Sequence, residues 1–313
     1  ILVITTPQDV ASNVAVKDSD SETAEPGLWH LDAAQLGDSM LLGAWEHQGE
    51  LLIVGGNLTD GGGDLLRWDG STLCREDDIT EHALWWVHSD GEHLVMVGES
   101  GTVLFDGERR DVPTSSTLFG AWVDGEELLV VGGDVNEGTG AVWRWTGEAW
   151  EPLVEDAPGL VFKVYEELIV GDGVAWTRQG STLTAVANSE RLVTIHNGVV
   201  VGGSQGPVVM DWDGASFTPR DTTWLGQPVN GVHNNADGTW VSGMFGVMGS
   251  WEDGAWSIPD FPLTSEHFHA ARRFGSETWF IGGNFLSGGT YGTIGRHGEG
   301  ERNLSLSECP ATR

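Results

Sequence analysis

The chain has 313 residues, with 46 glycines, 16 tryptophans and a formal charge of −32. Its 15 Lys and Arg stand against 47 Asp and Glu. That balance excludes a nucleic-acid or anionic-membrane surface, because phosphates are held by clustered cations. No apolar run reaches the roughly 18 residues of a membrane-spanning helix.

Residues 1–9 hold one short strand-like run. Residues 10–27 are polar, acidic and rich in Ser, Thr and Ala, the composition of a flexible tether. Ile1 is not an initiator Met, as expected where a signal segment has been removed. The expected division is therefore 1–27 as strand-like segment plus acidic tether, and 28–313 as one folded domain. Residues 28–34, around Trp29, read as an outermost strand comparable to the one beginning at Trp150. The tail 303–309 competes for the same place.

From Leu41 onward one phrase recurs. An apolar strand ends in glycine at Gly55, Gly98, Gly132, Gly171, Gly202, Gly243 and Gly282, at intervals of 43, 34, 39, 31, 41 and 39 residues. After each comes a second strand closed by a turn. The turns are Trp68-Asp69-Gly70, Phe105-Asp106-Gly107, Trp145-Thr146-Gly147, a weaker Trp176 to Gly180, Trp212-Asp213-Gly214, Trp251 to Gly254 and a degenerate Arg296-His297-Gly298. Asp-Gly between extended runs marks a hairpin whose central positions need positive φ. A repeat near 40 residues without helical periodicity predicts an all-β fold. The expected architecture is a seven-bladed β-propeller of four-stranded antiparallel blades. The glycines are expected to serve turns and close packing, and the W-D-G tryptophans to fill the space between blades.

The innermost strand, A, precedes each marker glycine. Ten residues before the marker in blades 1, 2, 3, 6 and 7, and six before it in blades 4 and 5, stand Trp45, His88, Trp122, Tyr165, His196, His233 and Arg272. The preceding residue is always small or aliphatic (Ala44, Val87, Ala121, Val164, Ile195, Val232, Ala271), and an apolar residue lies three further back. Alternation then puts the aliphatic residues between blades and the variable ones toward one mouth of the channel, as a single layer. His88, His196 and His233 in that layer form a candidate site for Zn²⁺ or Cu²⁺. Tyr165 and Arg272 would supply an acid/base and an anion clamp. Trp45 and Trp122 complete the channel ring. His267 and His269 form a lesser candidate. The oxygen-rich loops Asn57 to Asp64, Asp134 to Gly140 and Asn284 to Gly292 could take Ca²⁺, although no EF-hand spacing is present.

Cys74 and Cys309 are the only cysteines. They fall in the first and last blades, neighbours in a ring, and are expected to form a closing disulfide in an oxidising, extracytoplasmic compartment.

The repeats resemble those of secreted bacterial propellers related to kelch and BNR (Asp-box) propellers, over nearly the whole chain from about residue 28. The resemblance implies the fold and leaves many roles open. The Asp box survives only as the shortened W-D-G, and no Arg triad is traceable, which departs from sialidases. The three-His layer is similar in architecture to the axial zinc site of peptidyl-amidating lyases. Two functions are compatible with these features. One is a secreted or periplasmic non-enzymatic propeller that binds a protein, glycan or small molecule at its axial face. The other is a metalloenzyme, a lyase or hydrolase, with the three-His site.

Overall fold

The computed structural model describes residues 28–285 and 288–310. The expected strand-like segment and tether of 1–27 lie outside the described residues. Seven sheets form, six of four antiparallel strands and one of four antiparallel strands with a fifth, parallel strand added. They are arranged as the seven blades of a propeller. Helix among the described residues is limited to 3₁₀ turns, chiefly Glu99–Gly101 and Met244–Gly246.

Strand A of the successive blades is Met40–His47, Leu84–Ser89, Thr117–Asp124, Val161–Tyr165, Leu192–His196, Val229–Asn235 and His267–Phe274. Its pairing with strand B slips by one residue at the same step in every blade. The bulged residues are Leu42, Trp85, Phe119, Phe162, Val193, Asn230 and His269. A bulge puts one extra residue into one strand and re-aims the side chains beyond it. Leu41 and Ala44, separated by an odd spacing, are thereby both buried, and so are the equivalent pairs in the other blades.

The bulge also explains the marker glycines. A Cβ on Gly55 would lie 1.9 Å from the Met40 carbonyl oxygen, and one on Gly202 would lie 1.9 Å from that of Arg191. The other five markers meet the equivalent carbonyl at 1.9–2.2 Å. The requirement is close backbone approach, with ordinary φ. Gly202→Ala should therefore destabilise the protein by at least the roughly 1–3 kcal/mol typical of overpacking. Urea unfolding checks this, and a change below about 0.5 kcal/mol would remove the steric account.

The W-D-G turns adopt two schemes. Asp106-Gly107 and Asp253-Gly254 both have positive φ, as a type I′ turn requires. In blades 1 and 5 only Gly70 and Gly214 do. There the Asp carboxylate accepts the N–H groups two and three residues on, 2.8–2.9 Å away. Trp68 is buried as expected, but Trp145, Trp212 and Trp251 are only half-buried. They pair across the C–D hairpin with Trp150, Phe217 and Trp256, with ring centroids 4.8–5.3 Å apart. Cross-strand aromatic pairs of this kind stabilise the outer hairpins.

The competition between the two termini is resolved by giving each a different place. The strand Leu28–Leu36 becomes strand D of blade 7, pairing antiparallel with Gly292–Gly298. The tail strand Ser307–Glu308 instead runs parallel to Leu73–Thr80 as a fifth strand on the outside of blade 1. The Cys74–Cys309 disulfide is present. Cys309 belongs to that added edge and not to the last blade, so the bond ties the chain leaving blade 7 to the flank of blade 1.

Candidate functional site

The seven residues expected in one layer do meet. Contacts run from Trp45 to His88, Trp122, Tyr165, His196 and His233, with neighbouring ring centroids 4.3–5.2 Å apart. The Arg272 guanidinium lies 3.4 Å from the Trp45 ring centroid. Trp45 also reaches across the axis to Tyr165 at 6.3 Å and His196 at 5.6 Å. The large side chains therefore close the channel at the mouth carrying the A–B turns.

That packing decides the chemistry of the layer. The His88 Nδ1 accepts the Val123 N–H at 3.1 Å, and the His196 Nδ1 accepts that of Asn234 at 3.0 Å. His196 and His233 are stacked at 4.5 Å. Among the described residues no group of three or more His, Cys, Asp or Glu is placed to hold a metal ion. His88 sits between Trp45 and Trp122, so the expected convergence of His88, His196 and His233 on one point is not formed. Burial and the nearby Arg272 charge hold His88 and His233 down at about 3, so both imidazoles are neutral at ordinary pH. The Tyr165 hydroxyl donates to the Asn197 Oδ1 at 2.5 Å, and burial raises it to about 12, unsuited to proton transfer near neutrality. Arg272 is lowered to about 10 by burial and remains charged. Outside this plug lies a polar recess of about 500 Å³, floored by the Trp45 layer and bordered by Glu46, Asp237 and Arg273.

In each oxygen-rich loop the first Asn or Asp side chain caps its own turn. Asn57 Oδ1 accepts the N–H groups of Thr59 and Asp60, Asp134 Oδ1 those of Asn136 and Glu137, and Asn284 Oδ1 those of Thr290 and Tyr291. These are turn-capping roles.

The other mouth, where the D–A and B–C connections lie, is open. It holds a cavity of about 400 Å³ whose wall includes all seven bulged residues. Trp85, Phe119 and Phe162 form an aromatic arc, with Trp85–Phe119 at 5.2 Å and Phe119–Phe162 at 5.5 Å. Phe285 continues it through contacts with Trp85 at 6.4 Å and His269 at 5.4 Å. Lys163 lies one residue beyond the bulge in blade 4. Its Nζ donates to the Phe119 carbonyl and stands 4.1 Å over the Trp86 ring. Burial lowers this amine to about 7. His267 and His269 border the same cavity, and the Nε2 atom of each is buried without a hydrogen-bond partner. The lesser His pair of the sequence thus borders this cavity rather than the Trp45 layer. On the D–A and B–C connections Trp224 is 71% exposed, Phe261 79% and Phe285, which lines the cavity, 40%.

No family profile matches the sequence, and no curated protein matches it by sequence. Solved structures do share the fold. A catalytically inactive virginiamycin B lyase from Staphylococcus aureus, with quinupristin, superposes with a TM-score of 0.66 at 9% identity, over 85% of this chain and 99% of that one. YCF48 from Cyanidioschyzon merolae gives 0.61 at 15% identity, over 86% and 98%. A structure of YCF48 bound to D1 peptide gives 0.54 at 16% identity, over 90% and 100%. At these identities the likeness establishes that this chain has the propeller fold, and nothing narrower.

Proposed function

We propose that this protein is a non-enzymatic binding propeller of an extracytoplasmic compartment. It would take an apolar segment of a partner polypeptide into the axial cavity through the face carrying the D–A and B–C connections. The observation that carries this reading is the asymmetry of the axis. One mouth is plugged by large side chains, while the other opens into an aromatic-walled cavity, and Trp224 and Phe261 stand exposed on D–A connections, which lie at that mouth. Large apolar side chains left in water around a concave site mark an interaction surface. The bound peptide in the YCF48 structure supports the same use of the scaffold. The disulfide favours an oxidising compartment. Among the described residues no helix is long and apolar enough to cross a membrane.

A displayed random-peptide library provides the test. Selected peptides should lose at least tenfold in affinity when Ser204→Trp fills the cavity mouth. They should be unaffected by Asn235→Trp in the opposite recess. Peptides that depend on Asn235 instead, or a library that yields none, would refute the assignment.

A further inference from the structure

The charge distribution narrows what the cavity takes. Among the described lysines and arginines, only Lys163 and Arg272 have no carboxylate within 4.0 Å. In a chain with 47 acidic and 15 basic residues this is a marked exception. Arg272 is spent over Trp45 within the plug. Lys163 borders the open cavity, whose wall contains no Asp or Glu.

An ammonium offers three donors. One goes to the carbonyl that the bulge frees at Phe119. The Nε2 atoms of His267 and His269, which line the same cavity, are buried and unpaired. Buried polar groups without partners carry a free-energy cost that a ligand can relieve. The second cation at the rim, Arg191, is already paired with Asp172 at 3.3 Å and held 4.8 Å over Phe162. The cavity therefore presents one positive charge without a carboxylate partner inside an aromatic wall. That fits a monoanion on a large apolar body better than a phosphate, whose second charge would find no partner.

We propose that the axial cavity binds a carboxylate carried on an apolar or aromatic body, with Lys163 as its counter-charge and His267 and His269 as hydrogen-bonding neighbours. This rests on the reading of the cavity as the binding site. The carboxylate could belong to a free acid or to the C-terminus of the partner segment, and the plugged far mouth suits a ligand that enters end-on. A bound anion favours the ammonium form, so binding takes up a proton once Lys163 is partly neutral. Affinity should be full below about pH 7 and fall as the pH rises above it.

The test is calorimetric titration of the full chain with four probes. They are 3-phenylpropionate, its neutral amide, and a hexapeptide ending in Phe as free acid and as C-terminal amide. At pH 6 at least one acid should bind ten times or more tighter than its amide. The gap should narrow by up to about tenfold per pH unit above pH 7. Preference for the small acid identifies a free-acid ligand, and preference for the peptide acid identifies a chain end. Lys163→Met should abolish the gap, and the pH titration of the unaltered protein gives the same information should that variant fail to fold. Acids and amides binding equally at every pH would overturn the inference while leaving the apolar cavity as the binding site. If none of the four probes binds, the inference falls, and if the library also yields no peptide, the functional reading falls with it.

Discussion

Asp32→Ala is expected to destabilise the protein by about 3–5 kcal/mol, the usual result of stripping the partner from a buried charge. Asp32 lies on the N-terminal strand that completes blade 7, and Arg296 on the strand beside it. The guanidinium is wholly buried, with its Nε 2.5 Å from Asp32 Oδ2 and its Nη1 2.8 Å from Glu277 Oε1. It also donates to the carbonyls of Glu299 and Gly300. Asp32 in addition accepts the Arg302 N–H at 3.2 Å and so holds the departing chain. Losing it leaves Arg296 desolvated and half-paired in the blade that is completed by strands from distant parts of the chain. The double variant Asp32→Leu, Arg296→Met should recover much of the loss, because it removes both charges together. Chemical denaturation of the three proteins measures this. A loss below about 1 kcal/mol for Asp32→Ala would show that the seam does not depend on the pair.

The disulfide is the second large contributor. Cys74 and Cys309 are 235 residues apart in sequence. The chain-entropy treatment assigns a cross-link over such a loop about 5 kcal/mol, acting on the unfolded chain. The tail it anchors also packs Leu304 and Leu306 against the core shared by blades 7 and 1, and Arg302 stands over Trp68 and Trp279. Cys74→Ala with Cys309→Ala should therefore cost about 4–5 kcal/mol. Amide exchange should rise first in the closing strand Leu28–Leu36 and its partner Gly292–Gly298. Equal unfolding midpoints with and without the bond, under non-reducing conditions, would contradict this.

Much of the fold was legible because each blade repeats the same physical problem. The glycine spacing set the number of blades, and the Trp45-to-Arg272 alignment placed one residue from each blade in a common layer. Two things were obscured. Period-2 alternation describes a regular strand, and every strand A carries a bulge. The signal was present in the odd spacing of Leu41 and Ala44, which cannot both face a neighbouring blade without an inserted residue. That spacing also implies the second ring, from Leu42 to His269, that walls the open cavity. The expected metal site failed to assemble for a radial reason. Sequence register fixes the height of His88, His196 and His233 along the axis, but not that the Trp45 indole would occupy the centre between them. Arg296 looked like decay of the W-D-G phrase, because its partner Asp32 lies 264 residues away.

The termini illustrate a further limit. Residues 28–34 and 303–309 both carry short apolar alternation, and local pattern cannot rank two strands for one edge. The ring offers two edges across the seam, one inside blade 7 and one outside blade 1, and each terminus takes one.

The proposed binding propeller requires an axis closed at the A–B mouth and a ligand seated at the other. Crystals soaked with a set of small aromatic fragments test it most directly. Fragment density is expected in the cavity between Trp85, Phe119 and Phe285, and none among Trp45, Tyr165 and His196. Fragments seated in the Trp45 layer, with the aromatic cavity vacant, would contradict it.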